Sequence, residues 1–182
     1  MYKRQAYDPE HPSQHIIDMS ENEIEVPEDY TREELRQDLL CYTSPVLKEN
    51  LVLTGDMTAE LYISSDAPDT DFVVRVTDVD ENGRSIKLAD GLLSARYRNG
   101  FARSEFLQEG EIVCLKIRTT KLSNCFRKGH RIRVTVTSSA KNFIFPNSNT
   151  REGFASARTV VAHNRVYHGG LHASRLTVRV EP

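Results

Sequence analysis

Few residues of this chain are placed to do chemistry, and their spacing argues against most of it. A serine hydrolase of the α/β type presents its nucleophile on a sharp strand-to-helix elbow, so that the hydroxyl is exposed and a neighbouring amide can stabilise the oxyanion. The Gly-x-Ser-x-Gly pattern of that elbow does not occur in the sequence. Ser138-Ser139 beside His130 is the remaining serine candidate, but serines are common at strand ends, where their hydroxyls bond the backbone. Cys125 and His130 flank Phe126-Arg127-Lys128-Gly129. A cysteine nucleophile needs a nearby base; Lys128-Gly129 is a turn signal, which reads Cys125 as a packed residue entering a loop and His130 as the start of the next strand.

His163, His168 and His172 form the densest histidine group. Zinc needs three or four donors converging on a tetrahedron, whereas Gly169-Gly170 bends this run and no cysteine or carboxylate lies within it. Asp78-x-Asp80-x-Asn82-Gly83 matches the opening of a calcium loop, but Ala89 occupies the position of the closing bidentate glutamate. No catalytic residue, metal or cofactor is therefore expected.

The elements that would position these groups are strands. Runs at 58–64, 72–80, 85–98 and 111–121 are β-rich and bounded by turn residues, and 130–137, 158–167 and 175–180 supply the last strands. Alternation turns Val113, Leu115 and Ile117 inward and Lys116 and Arg118 outward. The same reading of 130–137 places Ile132, Val134 and Val136 in the core and Arg131, Arg133, Thr135 and Thr137 in solvent. Asn82-Gly83 predicts a type I′ hairpin, with positive φ at both central residues. Residues 1–38 are polar, acidic and punctuated by Pro9, Pro12 and Pro27. They read as an irregular arm or linker with a short helix from Thr31 to Leu40, started by a Thr31/Glu34 capping box. The expectation is an all-β jelly-roll sandwich of the galactose-binding-like kind over residues 39–182.

Composition narrows the partners. The net charge of −2 offers no field for a phosphate backbone, so nucleic acid is not expected. No run approaches the roughly 20 apolar residues of a membrane-spanning helix, so no membrane partner is expected. Three widely spaced cysteines, Cys41, Cys114 and Cys125, suggest no disulfide framework and point to a reducing, cytoplasmic compartment.

The segments Tyr42-Thr43-Ser44-Pro45-Val46-Leu47, Val52-Leu53-Thr54-Gly55 and Ser64-Ser65-Asp66-Ala67-Pro68-Asp69-Thr70-Asp71-Phe72 follow one another in order. Asp90-Gly91-Leu92-Leu93, Gly129-His130-Arg131-Ile132, Asn147-Ser148-Asn149-Thr150 and Ser174-Arg175-Leu176 come after them. Together they resemble the C-terminal domain of the X-Pro dipeptidyl-peptidase and cocaine-esterase (CocE/NonD) family of serine hydrolases. The resemblance covers about residues 39–182, and Tyr7-Asp8-Pro9 is similar to the family's passage from the catalytic part. Arg151, where the family usually has Gly, and Ala140-Lys141-Asn142 depart from its pattern.

What the resemblance implies is a non-catalytic sandwich packed on an α/β-hydrolase catalytic domain of the same parent protein, an acyl esterase or X-Pro dipeptidyl-peptidase. Such a domain would stabilise that partner and help shape its substrate cleft, the triad lying wholly in the α/β domain. Asp66, Asp69, Thr70, Asp71 and Phe72, in the most recognisable stretch, are the candidates for docking or lining the cleft. A homodimer through the exposed docking patch is a further candidate assembly. The alternative is a free-standing ligand- or carbohydrate-binding jelly roll, against which the absence of Trp argues.

Overall fold

The computed structural model describes residues 1–17 and 27–178. Twelve strands form nearly all the regular structure: β1 (Tyr2–Tyr7), β2 (Leu40–Thr43), β3 (Leu51–Gly55), β4 (Thr58–Ser64), β5 (Asp71–Val79), β6 (Ser85–Ser94), β7 (Val113–Arg118), β8 (Leu122–Phe126), β9 (Arg131–Thr137), β10 (Ala162–Gly169), β11 (His172–Ala173) and β12 (Arg175–Thr177). One sheet runs β1-β10-β4-β7, with β12 also on β4 and β11 folded back on β10. The second runs β2-β9-β5-β6, and β3-β8 forms a ribbon beside them. The chain changes sheet between β4 and β5, between β6 and β7, and between β9 and β10, as a jelly-roll sandwich requires.

Inward residues of the two sheets make the main core, including Leu61, Ile63, Phe72, Val74, Leu115, Ile117, Val136 and Val166. A second cluster of Leu53, Met57, Val76, Ala89 and Phe126 lies under the β3-β8 ribbon. The alternation expected for β7 is observed, with Leu115 and Ile117 buried and Lys116 and Arg118 exposed.

In β9 the alternation is present but its outer face is not in solvent: Thr135 and Thr137 are buried. The covering layer is made by described residues of the N-terminal arm, among them Ser13, Gln14, Tyr30 and Glu34. β1 pairs with β10 along its whole length. Residues 28–30 lie along the free edge of β6, with Tyr30 N–H donating to Ser85 O and Lys87 N–H to Glu28 O. Ser13 and Lys141 join the arm to the far end of the second sheet. Beneath the arm, Arg75 is fully buried, its guanidinium 4.7 Å from the centre of the Tyr30 ring and one amino group on Gln14 O. The described part of the arm thus roofs a sheet face that carries polar residues.

The helix expected over 31–40 is a single 3₁₀ turn, Glu33–Leu35, with no side-chain cap. Thr31 donates instead to Asp29 and accepts from Ser85 N–H. Glu34 turns inward to Arg133, Ser85 and Thr77. Tertiary partners for both capping residues outcompete the local box. The Asn82-Gly83 hairpin does join β5 to β6, but only Gly83 has positive φ (+85°). Asp80 takes the N–H groups of Asn82 and Arg84 on its carboxylate, and Gly83 N–H bonds Asp80 O. This is a type I turn closed by a left-handed glycine, the three-residue alternative to the two-residue loop. The strand expected over 175–180 is observed to Thr177, and residues 179–180 lie outside the described residues.

The arm is held by titratable groups, which gives stability a pH dependence of known sign. Hydrogen bonds from Thr31 and from Arg84 hold the Asp29 carboxyl at about 2. Asp90 is opposed by its burial, yet His15 and Lys87 keep its carboxyl below the ordinary range. A folded pKa below the unfolded value, about 3.9 for Asp, contributes stability that is complete above that value and is lost as pH falls toward the folded pKa. The melting temperature should therefore fall between pH 4 and 2, and Asp29→Asn should flatten that decline. Thermal melts across the window that show equal slopes for both proteins would contradict this assignment. Asp29 is too exposed for a large energy, so the slope is the informative quantity.

Candidate functional site

The stretch from Asp66 to Phe72 connects β4 to β5 and sits at one pole of the sandwich. Of its five candidate residues, Asp66 alone reaches the surface, where it holds the ring Nδ1 (2.7 Å) and backbone N–H (2.7 Å) of His163. Asp69, Thr70, Asp71 and Phe72 are interior. Phe72 belongs to the main core, and Thr70 O accepts from Ala95 N–H.

Asp69 is the keystone of this pole. With no exposed surface, it accepts from Arg96 N–H (3.0 Å), Arg96 Nε (2.7 Å) and Asn147 Nδ2 (2.7 Å). Asn147 Nδ2 also donates to Asp71 (2.9 Å). Burial, with the Asp69 charge alongside, pushes the Asp71 carboxyl up despite that bond. Arg96 reaches on to the carbonyls of Thr150 and Arg151, and its guanidinium lies over Phe106. One buried ion pair thus fixes three loops, 65–71, 95–111 and 143–161, with respect to one another. Four of the five residues support the surface from below, and a side chain without exposed area makes no outer contact of its own.

What those loops present outward is aromatic. Phe101, Phe145 and Phe154 are 80%, 79% and 73% exposed. Phe145 and Phe154 stack at 5.9 Å, and Phe101 leans on Tyr97 at 5.4 Å. Beside them a groove of about 550 Å³ is bordered by Asp66, Glu109, Glu152, Arg151 and Arg158. Rings surrounded by mixed charge have the composition of a protein-docking patch. The rings were not singled out from sequence, although a phenylalanine flanked by Gly100, or by Pro146 and Asn147, in a turn-rich segment is a usable signal.

The groups considered for catalysis are apart. Ser138 and Ser139 are buried at one end of β9 and bonded to Asn164 and Ser13. His130 precedes the other end, about 25 Å away along an extended strand. Its imidazole faces Asp78 (2.9 Å). Cys125, expected to be packed at a loop entrance, is exposed within β8, and burial raises the thiols of Cys41 and Cys114, the wrong direction for a nucleophile. His163 pairs with Asp66, His168 meets the Tyr42 ring edge-on and His172 the Tyr62 ring, so the three do not converge. Among the described residues no three His, Cys, Asp or Glu side chains gather as a metal site would, and no helix is long and apolar enough to cross a membrane.

These features define an all-β jelly-roll sandwich whose loops are gathered and fixed at one pole. Residues 1–177 match the X-Pro dipeptidyl-peptidase C-terminal non-catalytic domain, and the chain belongs to that family. The cocaine esterase of Rhodococcus sp. (strain MB1 Bresler) is 37% identical over 150 residues, covering 80% of this chain and 26% of that protein. An aminopeptidase from a marine sediment archaeon, Thaumarchaeota archaeon, superposes with a TM-score of 0.91 at 24% identity, over 100% of this chain and 33% of that one. An α-amino acid ester hydrolase does so with a TM-score of 0.92 at 22% identity, over 99% and 32%. The two structures show the same fold. The chain spans only a quarter to a third of the length of these relatives.

Proposed function

We propose that this domain braces an α/β-hydrolase domain of the same parent protein, an acyl esterase or X-Pro dipeptidyl-peptidase, and docks on it through the aromatic pole. The supporting observation is the display of Phe101, Phe145 and Phe154, 80%, 79% and 73% exposed, on loops that Asp69 and Arg96 tie together; Leu35 and Leu171, which are as exposed, lie outside these loops. Asp66 and the mixed-charge groove form the polar rim of that contact, and Asp69, Thr70, Asp71 and Phe72 act by holding the loops in place. Cleft shaping follows if the rim reaches the substrate opening.

The test replaces all three rings by Ser and measures co-purification with the hydrolase part encoded in the same reading frame. Surface substitutions of this kind change stability by about 0.5 kcal/mol or less each, so the variant should melt almost as the parent chain does while losing the complex. Retained binding would overturn the docking assignment. Turnover of X-Pro amides or short-chain esters by the chain alone would overturn the bracing role. Saturable glycan binding would favour a carbohydrate-binding module instead.

A further inference from the structure

The strand arrangement leaves a space between the two sheets, away from the aromatic pole. β10 and β12 share one edge of β4: Tyr167 pairs with Tyr62, and Arg175 with Glu60. Leu61, between those two positions, has no strand partner on that edge. The chain leaves the sheet there through Gly169-Gly170-Leu171 and returns at Ser174, whose Oγ accepts Tyr62 N–H (2.9 Å). A layer of side chains is missing at this step. The result is a cavity of about 160 Å³ walled by Ala59, Leu61, Val134, Val136, Val166 and Leu176. It adjoins a groove of about 620 Å³ that passes Leu53, Met57 and Ile132, and Tyr42, Val134 and Leu176 wall both.

Three properties define what fits. The inner volume is close to the roughly 150 Å³ of an apolar protein cavity that admits benzene. The inner walls offer no unpaired Lys or Arg: Arg175 is paired with Glu60, while Lys3 lines only the outer groove, where it donates to Cys41 O (2.7 Å) and covers the Tyr42 ring at 4.3 Å. A charged guest would lose its hydration without compensation. Among the described wall residues, one buried polar side-chain atom lacks a hydrogen bond, the hydroxyl of Tyr42, whose pKa burial pushes up to about 12 and which therefore remains a donor.

We infer that the inter-sheet space is a binding site for a small neutral ring or short acyl group carrying one hydrogen-bond acceptor, with the apolar part in the inner cavity and the acceptor on Tyr42 Oη. This site is separate from the docking pole and does not depend on the hydrolase partner.

The probes are anisole, which carries an acceptor, and toluene, which has nearly the same shape without one. Titration of the 182-residue chain, followed by methyl carbon–proton resonances, should give saturable shifts at Leu61, Val134, Val136 and Val166. Anisole should bind about 5- to 10-fold more tightly than toluene, the worth of one net hydrogen bond. Tyr42→Phe should erase that preference while keeping toluene binding, and Ala59→Leu should abolish both by filling the cavity. Absence of saturable shifts in the parent chain would overturn the site. An anisole preference that survives in Tyr42→Phe would overturn the role of the hydroxyl, and unchanged binding in a folded Ala59→Leu would overturn the location.

Discussion

Removal of residues 1–38 is expected to leave a chain without a cooperative unfolding transition. The deletion takes away β1, all six of its pairs with β10, and the roof over the second sheet. Tyr7 and Tyr30, with 0% and 1% exposure, go with it. Each such side chain contributes about 1.5–3 kcal/mol by burial, and the buried Ile17 and the backbone pairing along β6 add to the loss. Arg75 would regain water, which offsets a small part. Glu34, which meets Arg133, Ser85 and Thr77 in the buried layer, has no replacement. The combined cost approaches the whole stability of a typical domain, about 5–15 kcal/mol. Urea denaturation of residues 39–182 followed by circular dichroism is the measurement. A sigmoidal transition within about 2 kcal/mol of the full chain would show that the arm is dispensable after all.

The second large effect is expected at Asp69. Asp69→Ala removes a carboxylate with no exposed surface and strands the Arg96 guanidinium, itself only 12% exposed, together with an amide hydrogen of Asn147. Breaking one side of a buried pair costs about 3–5 kcal/mol, because the surviving charge keeps its desolvation penalty. At roughly 2–4 °C per kcal/mol for a chain of this size, the melting temperature should fall by about 6–20 °C. Asp69→Asn keeps an acceptor for Arg96 and should lose less. Equal losses for Ala and Asn in calorimetric melts would mean that the charge is not what holds the loops. Because Arg96 is also tied to Thr150 and Arg151, the same substitution should loosen the loop carrying Phe154.

How much of this was legible in the sequence follows from how far apart the deciding partners lie. The strands were, since alternation is local: β4 spans 58–64 as expected, and β7 points its residues as the pattern says. The fate of the outer face of β9 was not. Thr135 and Thr137 look like solvent residues until a segment a hundred positions earlier is laid over them. The 31–40 helix failed for the same reason, its two capping residues being claimed by β5, β6 and β9. At the aromatic pole the aspartates were recognisable as turn residues, but their roles depend on Arg96 and Asn147, which are separated from Asp69 by 27 and 78 positions. The exposed phenylalanines carry no periodic signal at all, since they lie in loops. The family resemblance, which rests on order and spacing over most of the chain, tied the sandwich to a hydrolase where the β-pattern alone could not.

The shared edge of β4 sets where the domain opens first. β12 is held there by three residue pairs, whereas β10 is flanked by β1 along its length and by β4 over part of it. Local opening free energies follow such pairing, so the seam beside Leu176 frays while both sheets remain intact. Leu176 is also a wall of the inter-sheet cavity. Fraying of that three-residue strand would widen the space without separating the layers, and it leaves the aromatic pole, at the other end of β10, undisturbed.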